Sequence, residues 1–287
     1  MATGAFPTAT ETNTTLANVV GLVWTREKLN NFYRAKLIAA QFFTDLSSDF
    51  QGGAKSVYVP NITEMTAHSK SNATVVTLNN PTDTKLTLTV DTWYECSFAI
   101  EKKEMAQVLK QYSYMERLMK NASYTVGATY EDAILALFPG FTQIVGTSAA
   151  GLADSNIRTA IQYLDAADAP QEGRAFFLTP KQVWADLQAI DKFTLLQNTN
   201  GADPVLKGHI GYLYGIPVYV SSRIGATNGS ANAALAQKDA IIHASTMMEM
   251  EVNYVPQYLS FLHTAHVVYG VLENRDTSGV WIKTAAV

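Results

Sequence analysis

The chain has 287 residues, 47% of them hydrophobic, and a formal net charge of −4. This is enough apolar material for one large or two modest domains with real cores, and it excludes a disordered chain. The acidic balance, with no Lys or Arg before Arg26, speaks against a nucleic-acid reader with a basic face, and no apolar run of about 18 residues predicts a membrane span.

Met1 to Val23 is rich in Thr and Asn and lacks both a basic start and an apolar core segment, so it reads as an N-terminal arm and not as a signal peptide. From Arg26 to Phe50, Leu29, Phe32, Tyr33, Lys36, Leu37, Ala40 and Phe43 recur at three- and four-residue steps, which predicts an amphipathic helix ended by Gly52-Gly53. Val57 and Val59 alternate with Ser56 and Tyr58 in a short strand closed by Pro60. Asn61 to Asn72 is polar and irregular, Val75 to Leu78 is a possible strand, and Asn79 to Asp83 has turn chemistry.

Thr84 to Cys96 is the clearest strand, because Leu86, Leu88 and Val90 alternate with Thr87, Thr89 and Asp91. The unit from Lys55 to Ala99 therefore reads as a hairpin whose tip, Asn61 to Asp83, has too few apolar residues to bury itself and projects. Glu101 to Leu137 reads as one helix of about 55 Å, with Glu101 and Glu104 at its positive end, Pro139 and Gly140 stopping it, and a bend expected near Gly127.

Phe141 to Gly151 is a loop by composition. Asp154 or Ser155 can cap a helix carrying Ile157, Ile161 and Leu164 and ended by Pro170. Arg174 to Leu178 is an apolar strand, and Thr179-Pro180 starts a helix with Val183, Trp184, Leu187 and Ile190 on its buried face. Ile216 to Val220 is a strand, Ala226 to Asn232 a loop, and Ala240 to Ala244 another strand. Val255 to Leu272 is a long β-patterned segment, Asn274 to Gly279 a turn, and Val280 to Thr284 a last strand.

Few residues suggest chemistry. Gly146-Thr147-Ser148-Ala149-Ala150 misses the final glycine of a nucleophile elbow and follows a helix end in this reading. His263 and His266 are three apart in a strand-like stretch, which sets the rings on opposite faces and makes them ordinary partly buried histidines. Glu249 and Glu251 share a strand face as surface charges, and Gly208 to Gly215 lacks phosphate-loop spacing. The lone Cys96 excludes an internal disulfide framework, fits a reducing compartment and reads as a small core residue. No catalytic residue, metal ligand or cofactor site is assigned, and the sequence points away from an enzyme.

The order of elements resembles the major capsid proteins of tailed bacteriophages, with the Hong Kong 97-type fold. Val90 to Glu101 running into Glu104-Met105-Ala106-Gln107 looks like the junction of that family's extended loop and spine helix. Gly211-Tyr212-Leu213-Tyr214-Gly215-Ile216-Pro217-Val218-Tyr219-Val220-Ser221 looks like a stretch of its axial domain, and Tyr269 to Glu273 followed by Gly279 to Lys283 looks like its closing strands.

The resemblance implies an α+β major-capsid fold with an N-terminal arm (1–25), a helix and connection (26–54), an extended β-hairpin loop (55–99), a peripheral domain with the spine helix (100–151 and 247–287) and an α/β axial domain (152–246). It further implies a structural subunit that self-assembles as hexamers and pentamers into an icosahedral shell in the bacterial host cytoplasm, enclosing double-stranded DNA held without sequence-specific binding. Ile62, Met65, Lys70, Val75, Pro81, Lys85 and Trp93 are the residues it puts at intersubunit contacts. A portal protein, a cement protein and, because only about two dozen residues precede the first helix, a separate scaffolding protein are the implied partners. Some relatives crosslink through Lys and Asn; Lys70 and Lys85 lie in the loop, but no isopeptide partner is identified. An encapsulin-like shell holding protein cargo, and a hydrolase using Ser148 or His263, are the competing readings.

Overall fold

The computed structural model describes residues 10–11, 38–50, 55–62, 65–80, 83–103, 114–190 and 211–286. Its chain order begins with β1 (Thr10–Glu11), α1 (Ala39–Phe42), β2 (Thr44–Asp45), β3 (Ser56–Ile62), β4 (Asp83–Thr89), β5 (Thr92–Glu101) and the long helix α2 (Tyr114–Leu135). It continues with β6 (Ile144–Gly146), α3 (Asp154–Ala166), β7 (Arg174–Leu178), β8 (Tyr212–Leu213), β9 (Ile216–Val220), β10 (Ala226–Thr227) and β11 (Ser230–Gln237). The last strands are β12 (Ile241–Val255), β13 (Ser260–Glu273) and β14 (Gly279–Ala285).

One sheet has the order β1-β5-β13-β12-β2, and its two faces meet different neighbours. Alternation along β12 shows how: Ile241 and His243 turn to one side, Ile242 and Ala244 to the other, and all four are buried. On the first side Ile241, Ala265, Val267 and Tyr269 pack in one apolar cluster with Val126, Tyr130 and Ile134 of α2. On the second side Ile242 and Ala244 pack with Phe50 and with Leu88 and Val90 at the root of the β3–β4 hairpin. A strand buried on both faces reads as a continuous apolar run, and this stretch of β12 does.

The second sheet has the order β6-β14-β11-β7-β9-β8, with β10 added to β11. Its central strand β11 is buried at every residue, and so is β7 beside it. Ala233, Leu235, Phe176, Leu178, Val280 and Ile282 face α3 through Ile157, Ala160 and Leu164. Ala234, Ala236, Phe177 and Trp281 face the other way, into the cluster under α2. Phe43 stacks on Phe177 at 5.4 Å, so the α1 segment is pinned between the two sheets. Two of this sheet's turns put two consecutive residues at positive φ, Tyr214-Gly215 (51° and 82°) and Asn228-Gly229 (50° and 75°), the twist that two-residue hairpins require.

Several expectations are corrected. The alternating run Thr84 to Cys96 is two strands: β4 pairs with β3, while β5 pairs with β13, and the chain changes sheet at Val90-Asp91. Alternation alone cannot report a change of partner. Glu101 ends β5 opposite Ser260, since the ladder to β13 continues that far, and Lys102 and Lys103 directly after it are helical. The described part of the long helix is Tyr114–Leu135; residues 104–113 lie outside the described residues. It is one helix through Gly127, where the Thr125 and Thr129 hydroxyls donate to the carbonyls of Asn121 and Thr125.

β3 runs past Pro60 to Ile62, tolerated because a two-stranded ribbon leaves an edge where no N–H is needed. Residues 75–78 form no strand. The first part of the helix expected over Arg26 to Phe50, residues 26–37, lies outside the described residues; within 38–50 a single helical turn, Ala39–Phe42, gives way to β2 and a 3-10 turn at Ser47–Phe50. β6 and β10 lie where loops were expected, and β11 was not foreseen from Ser230 onward. The cap of α3 is Ala153, with Asp154 in the first turn. The segment from Pro180 is helical to Ala189 as expected, π-type over Gln182–Asp186 and 3-10 over Leu187–Ala189, and it buries Val183 and Leu187 but leaves Trp184 53% exposed. Val255 to Leu272 is the end of β12, a 3-10 turn and most of β13, and β14 lies in the second sheet between β6 and β11.

Candidate functional site: a projecting arm, an acidic sheet face and a helix hub

The arm starts as a ribbon with seven cross-strand pairs, from Ser56 opposite Thr89 to Ile62 opposite Asp83. Val57, Val59, Leu86 and Leu88 line the side that packs on the first sheet. Tyr58 and Lys85 lie on the other side, with the Lys85 ammonium 4.4 Å from the Tyr58 ring centre. Beyond the ribbon every residue from Met65 to Asn80 is exposed. That stretch holds Met65 (68% exposed), Val75 (90%), Val76 (62%) and Leu78 (85%).

The tip is nonetheless tied together. Asn79 donates through Nδ2 to the Thr66 carbonyl at 2.8 Å, and its Oδ1 lies 2.8 Å from His68 Nε2, accepting when that nitrogen carries the proton. Lys70 Nζ donates to the Ser71 carbonyl at 3.2 Å and to the Thr74 carbonyl, and the Thr74 hydroxyl donates to the Ser71 carbonyl at 2.8 Å. Polar groups are thus spent inside the tip, and the aliphatic side chains are left outward.

On the arm side of the first sheet, beyond the arm root, β5, β13 and β12 present an open face. Opposite pairs there are Trp93 with Val268, Glu95 with His266, and Ser97 with Thr264, which in turn faces Glu251. Trp93 is 70% exposed and sits edge-on to His266. Glu95 and Glu251 are exposed, Glu249 and Glu101 share their register face, and β5, β12 and β13 contain no Lys or Arg. This is an acidic face with an aromatic anchor.

Three consecutive residues of α2 each hold a different element. Glu131, 1% exposed, accepts the backbone N–H groups of Ile38 (2.8 Å), Ala39 (2.8 Å) and Ala40 (3.1 Å), so its carboxylate caps the start of α1. Tyr130 Oη lies 2.5 Å from His243 Nδ1 on β12. Asp132 takes Arg223, after β9, through two oxygens, with Nε to Oδ1 at 2.7 Å. That hydrogen bond pushes the Arg223 pKa up, and burial pushes the Tyr130 phenol up and the His243 imidazole down. None of these side chains stood out in the sequence, since an isolated Glu or His in an amphipathic helix or strand carries no pattern.

An open cleft of about 600 Å³ lies beside this hub, lined by Tyr124, Asp132, Arg223 and Asn232 among others. Among the described residues its lining contains no His and no nucleophile–base pair. Ser148 sits exposed in a turn after the short strand β6, not after a helix end as expected. His263 is buried instead of partly so: it stacks on Phe98 at 4.9 Å, and neither ring nitrogen has a hydrogen-bond partner among the described residues. His266 is buried on the opposite face of β13, so the two rings do not converge. Cys96 is half-buried against the cluster under α2, with its pKa raised by burial. Among the described residues no group of three or more His, Cys, Asp or Glu side chains could hold a metal ion, and no helix is long and apolar enough to cross a membrane.

Of the residues expected at intersubunit contacts, Met65, Lys70 and Val75 cluster on the exposed tip and Lys85 on the ribbon. Ile62 closes β3, Pro81 lies outside the described residues, and Trp93 belongs to the acidic sheet face and not to the arm.

No protein-family model matches the chain, and no curated protein matches it by sequence. Solved structures do match. A structure from Mycobacterium phage Che8 superposes with a TM-score of 0.76 at 18% identity, covering 92% of this chain and 96% of that one. The capsid of the cyanophage P-SCSP1u gives 0.73 at 14% identity, with 93% and 94% covered. The capsid of a native GTA particle gives 0.70 at 13% identity, with 92% and 95% covered. The fold of this chain is therefore the Hong Kong 97-type phage capsid fold that the order of its elements resembles.

Proposed function

We propose that the chain is the major subunit of a tailed-phage capsid, a non-enzymatic protein that assembles as hexamers and pentamers into an icosahedral shell around double-stranded DNA. The observation that carries this is the arm. Sixteen consecutive residues from Met65 to Asn80 are exposed while carrying four large aliphatic side chains, and the tip's own hydrogen bonds hold it in shape. Burying such side chains is worth about 1.5–3 kcal/mol each, and that gain comes only when a second surface covers them. In a closed shell the same modest contact repeats around every symmetry axis.

The surface that receives the arm is the acidic sheet face of a neighbouring copy. Trp93 and Leu262 match the aliphatic tip, and Glu95 and Glu251 match Lys70 and Lys85 in charge. The acidic chain as a whole suits a wall that does not bind the DNA it encloses. A scaffolding protein, a portal and an outer cement protein are the partners to look for, assembly takes place in the host cytoplasm, and the virion capsid is the final location. Negative-stain microscopy of the purified chain tests the reading: closed shells support it, and a monodisperse monomer under all assembly conditions contradicts it. Shells that carry a protein cargo and never DNA would remove the genome-enclosing part alone.

A further inference from the structure

The seat of α1 and β2 contains a buried group that the shell reading does not use. His243 is 1% exposed, beneath the segment 38–50 and against α2. Its Nδ1 lies 2.5 Å from Tyr130 Oη and 3.8 Å from Asp45 Oδ1; the backbone of Ala40 and Phe43 acts on the ring, and among the described residues no group reaches its Nε2 with good hydrogen-bond geometry. The same residue ties the segment to the sheet by backbone: Leu46 N–H donates to the His243 carbonyl at 2.8 Å, and His243 pairs with Asp45 in register. The Tyr130 hydroxyl, with the Ser245 side chain as a second neighbour, donates to an unprotonated Nδ1.

We infer that Tyr130, His243 and Asp45 form an acid-sensitive latch that seats residues 38–50 on α2. Protonation removes the Nδ1 lone pair, so the Tyr130 hydroxyl loses this acceptor and has to turn its proton away, while a charged ring is left inside a cluster of Tyr269, Val267 and Ile241. The charged and titratable groups around the ring are Tyr130 and Glu131 from α2, Asp45 from β2 and Tyr269 from β13, with Ser245 beside it on β12. Asp45, the backbone of Phe43 and Ala40, and Glu131 favour a charged imidazole. Glu131 is already bound to three N–H groups, and Asp45 accepts from the backbone and hydroxyl of Ser47. Burial outweighs the two carboxylates and the two backbone groups together and holds the imidazole below its usual value.

The sign follows. The seated state favours neutral His243, so the latch is intact above the free imidazole value of about 6.5 and weakens as pH falls below it. The loss stops at the lower seated value. Between the two, the equilibrium for opening rises about tenfold per pH unit. The inference concerns the isolated subunit and stands whether or not the chain builds a shell.

Hydrogen exchange read by mass spectrometry on the full chain between pH 7.5 and 5 tests it at the amides of Ala39, Ala40 and Leu46, corrected for intrinsic rates. Wild type is expected to lose protection there below about pH 6.5 while β11 and β14 stay protected. His243→Gln, which cannot charge, is expected to be flat over that window. Should that variant fail to fold, two others decide. Tyr130→Phe raises the seated value, so the loss levels off sooner and is smaller. Asp45→Asn lowers it, so the loss continues to lower pH and is larger. A flat wild-type profile, or the same direction of change in both variants, overturns the latch.

Discussion

The backbones of Thr89 and Gly270 touch: a Cβ built on Gly270 would stand 2.1 Å from the Thr89 carbonyl oxygen. This is the crossing point of β4 over β13, where the arm leaves the body of the protein. Gly270 is needed for that close approach, since any side chain there meets main chain that cannot swing aside. Gly270→Ala is expected to cost about 1–3 kcal/mol in the folded subunit and to loosen the ribbon above it. Urea unfolding gives the first quantity, and protease sensitivity within residues 55–89 gives the second. Unchanged values for both would show that the root adapts freely.

Glu131 is expected to behave as a cap and not as a general core residue. Glu131→Ala leaves three N–H groups without their acceptor, a cost of about 2–5 kcal/mol that local release of residues 38–50 can limit. Glu131→Gln keeps one acceptor oxygen and is expected to fall between. Thermal unfolding, read together with proteolysis near Ala39, separates the two effects. An alanine variant as stable as wild type would remove the cap.

The tip side chains are expected to matter to assembly and not to folding. The triple change Val75→Ser, Val76→Ser and Leu78→Ser alters only exposed positions, so subunit stability moves by less than about 0.5 kcal/mol for each. Shell formation, followed by light scattering against protein concentration, is expected to need a higher concentration. A loss of subunit stability with assembly unaffected would reverse the assignment.

Charge reversal tests where the arm lands. Glu251→Lys is expected to weaken assembly, and Lys70→Glu in the same chain to restore part of it, with the coupling reduced at high salt. Single and double variants whose effects simply add would show that the two groups never meet, leaving the arm itself intact as an idea.

How much of this was readable follows from physical pattern. β7 and β14 show in the sequence because Arg174 to Leu178 and Gly279 to Ala285 are apolar runs bounded by Gly, Pro and Asp. The arm shows through turn chemistry; Pro139-Gly140 marks the region where the long helix ends, but the helix stops at Leu135 and the pair lies in a 3-10 turn after it. β11 did not, because Ser-Ala-Asn-Ala-Ala-Leu-Ala-Gln has little intrinsic strand preference, and only its position between β7 and β14 makes it one. The change of sheet at Val90-Asp91 was hidden by unbroken alternation on both sides of it. The hub at Tyr130, Glu131 and Asp132 depends on partners about 90 to 113 residues away in sequence, which no local spacing reports. The acidic sheet face was half legible: Glu249 and Glu251 were placed together, but not beside Glu95 and Trp93.

The claim that the arm is a grip on a neighbouring copy is tested most directly by removing it. Ile62 and Asp83 face each other across the ribbon, so residues 63–82 can be replaced by Asn-Gly, a two-residue turn suited to that register. The shortened chain and the wild type are then imaged side by side by negative-stain microscopy after identical purification. The expected result is closed shells from wild type and folded, soluble, unassembled subunits from the shortened chain. Normal shells from the shortened chain would contradict the account.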